Sequence, residues 1–175
     1  MNPIRFSVEL ELQHYGICDS SGAIALGESQ FAVANDEDNI LRIYQSDRSG
    51  TPIEIDINHY FENNPKQKET DLEAVAQLDD VIYWITSHGR NEKGKLRPER
   101  HQFFANKLSN ADELIFQQVG RSYTQLVLED MLQDERLKRC QLEAAEKLPP
   151  KEQGGLNIEG LTITPNHELL IALSI

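Results

Sequence analysis

Acidic residues that recur at related places in a repeated pattern are the first candidates for chemistry. Glu73 and Glu159 each stand directly before a small residue and an apolar stretch, so a regular fold would bring them to equivalent positions. Carboxylates that meet repel one another unless a cation neutralises them, and oxygen ligands suit Ca²⁺ or Mg²⁺. The sequence therefore predicts a cation site whose ligands are Asp19, Asp36, Asp38, Glu73 and Glu159. The alternative is that these acids cap turns or pair with Arg90.

A basic loop, residues 88–101, is the second candidate. It holds five basic residues against two acidic ones, in a chain whose formal net charge is −12. Arg90 follows a predicted strand and could present its planar guanidinium to a carboxylate or a phosphate. The predicted ligand-binding set is His88, Arg90, Asn91 and, from an acidic turn, Asn35. The alternative is a solvated loop in which Arg90 pairs with Glu73 or Asp36.

Three stretches repeat one pattern, in which a small residue is followed by a turn of polar residues and an apolar strand. The copies begin near Ala23, Ala74 and Gly160. A period of roughly 40–50 residues with several short strands in each unit is typical of a β-propeller or a related sheet array. In such an array the first strand of each unit faces a central channel, where equivalent residues converge. We therefore expect an all-β fold: a partial propeller-like array of short antiparallel strands, in a single domain that spans 1–175.

Other segments add strands and one helical region. The segment 4–12 alternates apolar and polar residues as a half-buried strand does, and 40–44 and 53–57 are further short strands. From Tyr123 to Leu148 the chain has no Gly or Pro and is rich in helix formers, with Ser122 as a suitable N-cap. This predicts one or two amphipathic helices inserted at about 122–148, which either cover the side of the array or bind a partner.

Four blocks of the sequence resemble a bacterial domain-of-unknown-function family, the one numbered 3616. The blocks are Gly16–Ala23, Ala34–Asn39, Ser87–Asn91 and Asn157–Leu161, and the resemblance covers most of 15–173. Members of the family resemble propeller-type proteins and are about twice as long as this chain. The resemblance thus implies a propeller-like fold of which 1–175 is the N-terminal half, and it implies no reaction because the family has none assigned.

Composition limits the classes of partner. A formal net charge of −12 and a pI of about 4.8 argue against nucleic acids and anionic membrane surfaces, since both would repel the chain. No apolar stretch approaches the roughly 20 residues of a membrane span, and the N-terminus lacks a secretory signal. Cys18 and Cys140 are too few for a disulfide framework, so a cytoplasmic location is expected. The apolar strand 169–175 has no polar cap, which predicts an open edge that favours self-association.

Two functional hypotheses use the same residues. In the first, the chain is a binding module whose channel-facing acids and Arg90 hold a small polar or anionic ligand, with Ca²⁺ or Mg²⁺ as a candidate cofactor. In the second, it is a metal-dependent phosphoester hydrolase of phytase-like type in which Arg90 holds the phosphate. The Ca²⁺ ligands would then be Asp36, Asp38, Glu73 and Glu159. We favour the binding module.

Overall fold

Two four-stranded antiparallel sheets and one hairpin form the framework of the chain. The computed structural model describes residues 8–110 and 114–175. The first sheet contains, in spatial order, β1 (Ser20–Leu26), β2 (Gln30–Asn35), β3 (Ile40–Gln45) and β4 (Ile53–Asp56). The second contains β5 (Leu72–Leu78), β6 (Val81–Thr86), β7 (Phe103–Asn110) and β8 (Leu114–Tyr123). The hairpin consists of β9 (Asn157–Ile163) and β10 (Leu169–Ser174), and the prediction of an all-β fold is confirmed.

The first strands of the three sheets are neighbours. β1 packs against β5, and β5 packs against β9. The approach of β1 to β5 is close, because a Cβ atom added to Gly22 would lie 3.3 Å from the Cα atom of Ala74. Glu73 on β5 and Glu159 on β9 consequently lie on adjacent strands.

Two apolar cores lie on opposite sides of the second sheet. The first core joins it to the first sheet through buried side chains that include Leu41, Ile43, Trp84 and Phe104. The second core joins it to the hairpin and to the segment between β8 and β9, through side chains that include Ile85, Val127, Leu142, Leu156 and Ile158. Burial of these apolar side chains is the main source of stability for the arrangement.

The segment predicted to be a strand at 4–12 differs from the prediction. Residues 4–7 lie outside the described residues, and residues 8–12 form no strand. The side chains of Val8 and Leu10 are 84% and 66% exposed. A strand needs a partner edge, and here the adjacent residues 13–15 hydrogen-bond to a loop instead: Tyr15 N donates to the Gly50 carbonyl at 3.1 Å.

The helical insertion is later and less regular than predicted. β8 continues through Tyr123, and Ser122 is a strand residue rather than an N-cap. The helical segments are a π-helical turn at Leu126–Met131, a 3₁₀ helix at Glu135–Cys140 and a single α-helical turn, α1, at Leu142–Ala145. Two short 3₁₀ turns lie elsewhere, at Asn58–Tyr60 and Pro98–Arg100. Within the described ranges 8–110 and 114–175, no helix is long and apolar enough to cross a membrane.

The irregular helix has a physical cause in the spacing of its apolar residues. Leu132, Leu137 and Leu142 follow one another at intervals of five, and all three contribute to the second core. In a regular α-helix of 3.6 residues per turn, residues five apart lie on different faces, so the three leucines could not all pack in the same core. The chain instead ends one helical segment and begins another, with the Asp134 side chain accepting a hydrogen bond from Arg136 N at 2.9 Å. Gln141, at φ 53°, then separates the 3₁₀ helix from α1.

Candidate functional site

The first strand of each sheet carries one residue without a partner on the neighbouring strand. The register of pairing shifts once between β1 and β2, once between β5 and β6, and once between β9 and β10. The residues left unmatched on the first strands are Ser21, Glu73 and Glu159. Such β-bulges re-aim a side chain and are frequent beside functional sites. The two glutamates that the repeat places in register therefore occupy equivalent bulges.

Both glutamates line one cleft with a volume of about 960 Å³. Four carboxylates that line it lie on a strand or directly beside one, and we call them the acidic set: Asp36, Asp71, Glu73 and Glu159. We call its cations the basic set: Arg90, Lys93, Arg97, Arg100 and Lys151. Asn91, Glu92, Asn157 and the residues 149–152 complete the lining. The structure thus brings together three of the five predicted cation ligands and two of the four predicted ligand-binding residues.

Among the carboxyl groups that line the cleft, Glu73 has the pKa that is raised most. Burial, followed by the negative charges of Asp71, Glu159 and Asp36, raises its pKa to about 8. Among the described residues, no hydrogen bond or ion pair stabilises its ionised form. At neutral pH Glu73 is therefore mostly protonated, and a cation in the cleft would favour loss of that proton.

The neighbouring aspartates have raised pKa values for the same main reason. Burial raises the pKa of Asp71, although the side chain of Ser87 donates to it and Arg100 lies against it, with Nη1 of Arg100 at 2.9 Å from Oδ2. Asp71 also has a positive φ of 61°, which is uncommon for a residue other than glycine. Burial raises the pKa of Asp36 as well, with Asp71 and Asp19 adding to the effect. The Oδ1 atom of Asp36 is buried and has no partner among the described residues.

All three arginines in the basic set contact carboxylates. Arg97 contacts Glu69 at 2.9 Å and Glu99 at 2.6 Å, and Arg100 contacts Glu69 as well as Asp71. Arg90 does not pair with Glu73 or Asp36, as the sequence suggested it could. Its Nη2 contacts Oε2 of Glu146 at 3.0 Å, and Nη1 donates to the Gly94 carbonyl at 3.1 Å.

Of two other predicted ligand-binding residues, Asn91 and His88, only Asn91 lines the cleft. Asn91 lines the cleft, and its Oδ1 accepts hydrogen bonds from the backbone N–H groups of Lys93 and Lys95 at 3.0 and 2.8 Å. His88 does not line the cleft, since it is buried and packs against His101. Its Nδ1 lies 2.8 Å from the carbonyl of Thr86.

Asn35 and Asp38 are committed to a turn rather than to the cleft. Asn35 Nδ2 donates to Asp38 at 3.1 Å, and both Asp38 oxygens accept from Arg42 at 2.9 and 2.7 Å. Burial alone would raise the pKa of Asp38, but the hydrogen bonds from Arg42 and Asn35 hold it below its usual value. These contacts match the alternative given by the sequence, in which the acids cap turns, although the basic partner is Arg42. We therefore leave Asp38 out of the proposed site.

Asp19 lies outside the cleft in a different group. Its carboxylate, the Cys18 thiol and the Glu37 carboxylate have potential ligand atoms within 4.8 Å of one another, and all three residues are exposed. Within the part of the chain that the structure describes, no other set of three such residues is as close. The carboxylates of the acidic set are therefore farther apart than direct coordination of one ion by three of them requires.

Residues contributed by the end of the insertion were missed by sequence reasoning. Pro149, Pro150 and Lys151 line the cleft, and so does Asn157, whose Nδ2 donates to Glu159 Oε1 at 2.9 Å. The available signal was the Pro-Pro pair followed by Gly154 and Gly155, which indicates a tight turn. A Cβ atom on Gly155 would lie only 2.0 Å from the carbonyl oxygen of Pro149. The backbone at Gly155 therefore returns to contact Pro149, and this tight turn forms one wall of the cleft.

Comparison of the chain with protein-family models, with curated proteins and with solved structures finds no match in any of the three. The resemblance to family 3616 stays a prediction.

Proposed function

We propose that this chain is a binding module, and that its cleft holds a small polar ligand with a positively charged group or a hydrated divalent cation. The observation that carries the proposal is the position of Glu73: a partly buried carboxyl group that has no ion pair among the described residues, at a bulge next to the bulged Glu159. Asp36 and Asp71 line the same cleft. A ligand that brings positive charge relieves the repulsion within this set and is bound for that reason.

The separation of the carboxylates favours a ligand larger than a bare ion. In the described residues no three of them have ligand atoms within 4.8 Å of one another, so they are too far apart to share one ion directly. Mg²⁺ usually retains several of its waters and contacts a protein through one or two carboxylates, so a hydrated ion spans such a gap. An organic ammonium group with its own hydrogen-bond donors is the other chemistry that fits.

Arg90 supplies hydrogen bonds to the ligand more than it supplies charge. Its guanidinium group has five N–H donors, of which the structure uses three, toward Glu146 and Gly94. Its charge is largely balanced by Glu146, whose carboxylate is 3.0 Å away. A polar or anionic group of the ligand would accept from the remaining donors, beside Lys93 in the same cleft.

The fold assigned to this module is a propeller-like array, with the cleft at its central channel. Support comes from the two four-stranded antiparallel sheets and from the contacts of β1 with β5 and of β5 with β9. Radial repetition of such sheets around a channel is the defining feature of propellers. In this arrangement the bulges in the first strands direct side chains toward the channel.

Thermal unfolding with and without millimolar Ca²⁺, Mg²⁺ or putrescine tests the binding proposal. A ligand at about 100 times its Kd stabilises the native state by about 2.7 kcal/mol, which raises Tm by several degrees. We expect such a rise for at least one of the three probes, its loss in Glu73→Gln, and its retention in Glu28→Gln, which changes an exposed glutamate in the β1–β2 turn. Absence of a rise with all three probes would refute the proposal.

A second candidate is the metal-dependent phosphoester hydrolase. The observation that favours it is that Arg90 and Lys93 line the same cleft as the acidic set, so a phosphate and a cation would meet there. Hydrolysis of para-nitrophenyl phosphate in the presence of Ca²⁺ tests it. Glu159→Ala should abolish both cation binding and turnover, and unchanged turnover in that variant would rule this candidate out.

A further inference from the structure

The loop between β6 and β7, residues 87–102, supplies Arg90, Asn91, Lys93, Arg97 and Arg100 to the cleft. Its two ends meet at a neck. There His88 N donates to the Arg100 carbonyl at 3.1 Å, and Thr86 N donates to the Gln102 carbonyl at 3.1 Å. Thr86 Oγ1 adds a hydrogen bond to the Arg100 carbonyl at 2.6 Å. The geometry of the neck therefore determines where most of the basic set lies.

Two histidines pack against each other across this neck. His88 and His101 are each 2% exposed, and their ring centroids are 5.1 Å apart with an interplanar angle of 69°. The carbonyl of Thr86, 2.8 Å from His88 Nδ1, requires the proton to be on that nitrogen. Nε2 of His88 and both ring nitrogens of His101 have no hydrogen-bond partner in the described parts of the chain. Unsatisfied buried polar atoms are rare enough to need an explanation.

The groups that face these rings disfavour their protonation in the closed loop. Burial, as the largest effect, lowers the pKa of His88 to about 3 and that of His101 to about 4. His88 is faced by the Thr86 carbonyl and by His101. His101 is faced by Glu146 of the insertion, by Arg90 and by Glu99. The negative charges of Glu146 and Glu99 do not outweigh the loss of water and the charge of Arg90.

We propose that His88 and His101 form an acid-released clamp, which holds the neck of the 87–102 loop closed while both rings are neutral and releases it when they are protonated. Release frees the loop before the sheets unfold, since His88 and His101 lie beyond the paired strand residues: β6 ends at Thr86 and β7 begins at Phe103. The proposal goes beyond ligand binding and does not depend on it, because it predicts a property of the chain without any ligand.

The size of the effect follows from proton linkage. In an open loop both imidazoles meet water, where the pKa of histidine is about 6.5. An open state that binds two more protons than the closed state becomes more populated as the pH falls below that value. With the closed-state pKa values of about 3 and about 4, the open population rises on the order of a thousand-fold between about pH 7.5 and pH 5. Each histidine contributes roughly thirty-fold of this.

Amide hydrogen exchange of the full chain without ligand tests the clamp. Protection factors, corrected for the intrinsic pH dependence of exchange, are compared at pH 7.5 and pH 5 for peptides from 88–100 and from 31–44 in the first sheet. We expect protection of 88–100 to fall by two to three orders of magnitude, while that of 31–44 changes by less than tenfold. In His101→Gln the fall should be about thirty-fold smaller, and in the control His59→Gln, which alters an exposed histidine, it should be unchanged.

Two results would overturn the proposal. One is equal protection of 88–100 at the two pH values, and the other is an undiminished fall in His101→Gln. If that variant does not fold, the imidazole resonances of the unaltered chain decide the matter by NMR titration. Midpoints near 6.5 for both rings in the native state would show that no clamp exists. Failure of cation binding in the cleft would leave these measurements unaffected, so the two proposals fail separately.

Discussion

At the scale of single residues, the charge of Glu73 controls a pH-dependent part of the stability. Its pKa is about 8 in the folded chain against 4.5 for an unperturbed glutamate, so folding takes up a proton between these values. Stability from this group is fully present below pH 4.5 and is lost as the pH rises through 8. Because Glu73 is only partly buried, solvent screening reduces the effect to on the order of 1 kcal/mol.

Glu73→Gln should remove this pH dependence. We expect the variant to be more stable than the wild-type chain by about 1 kcal/mol at pH 9 and nearly equal to it at pH 5. Urea unfolding at both pH values measures the difference, and Glu28→Gln, in an exposed turn, should show no such change. A gain of the same size at both pH values would mean that the charge of Glu73 is not the cause.

Asp38 differs from Glu73 because its charge is satisfied. Arg42, whose side chain is 7% exposed, donates two hydrogen bonds to it, and the backbone N–H of Ile40 donates a third at 3.1 Å. Asp38→Ala leaves the guanidinium largely buried without its main partner, which should cost about 3 kcal/mol. Chemical unfolding should show this loss, while any increase of Tm by Ca²⁺ or Mg²⁺ should persist. Loss of the cation effect in the folded variant would return Asp38 to the list of ligands.

At the scale of elements, the contact of β1 with β5 depends on the absence of a side chain at Gly22. A Cβ atom there would already lie 3.3 Å from the Ala74 Cα atom and 3.4 Å from the Glu73 carbonyl oxygen. Gly22→Val would force the two strands apart, and overpacking of this kind costs about 1–3 kcal/mol. Gly50→Val is the matched control, since no atom of the described residues lies within 4 Å of its added Cβ. Equal Tm values for the two variants would show that β1 and β5 tolerate separation.

Strand alternation and turn residues were sufficient to predict most strands, but not β8. The central strands β2, β3 and β6 are mainly apolar and buried, which makes them evident in the sequence. β8 lies at the edge of its sheet, and of its described side chains only Phe116 is buried. Its polar Gln117, Gln118 and Arg121 and the flexible Gly120 conceal it, because an edge strand needs few apolar residues.

The candidate site was predictable to the extent that it follows the repeat. Glu73 and Glu159 occupy equivalent positions in their copies, and the structure places both at bulges of neighbouring strands. The partners of Arg90 and His88 were not predictable, because Glu146 is 56 residues from Arg90 and His101 meets His88 only where the two ends of the 87–102 loop come together. The local alternation of apolar and polar residues predicts strands well. Which side chains pair with one another depends instead on how the sheets and the insertion pack together.

At the scale of the whole molecule, the second sheet links two cores that have different partners. Its Trp84 lies in the first core, between the two four-stranded sheets, and is the single tryptophan of the chain. Its Ile85 lies in the second core, with the insertion and the hairpin. Since the two residues are adjacent on β6, loosening of one core removes support from the other. We therefore expect both cores to unfold together.

A substitution in the second core, observed from the first, tests this expectation. Leu156 is 1% exposed and packs in the second core, so Leu156→Ala should cost about 2–5 kcal/mol. If the chain unfolds as one cooperative unit, the fluorescence transition of Trp84 and the far-ultraviolet circular dichroism transition shift together to lower urea. The control Leu170→Ala, at a side chain that is 55% exposed, should shift neither appreciably. A Trp84 transition that stays in place while the circular dichroism changes would show that the hairpin and insertion unfold independently of the two sheets.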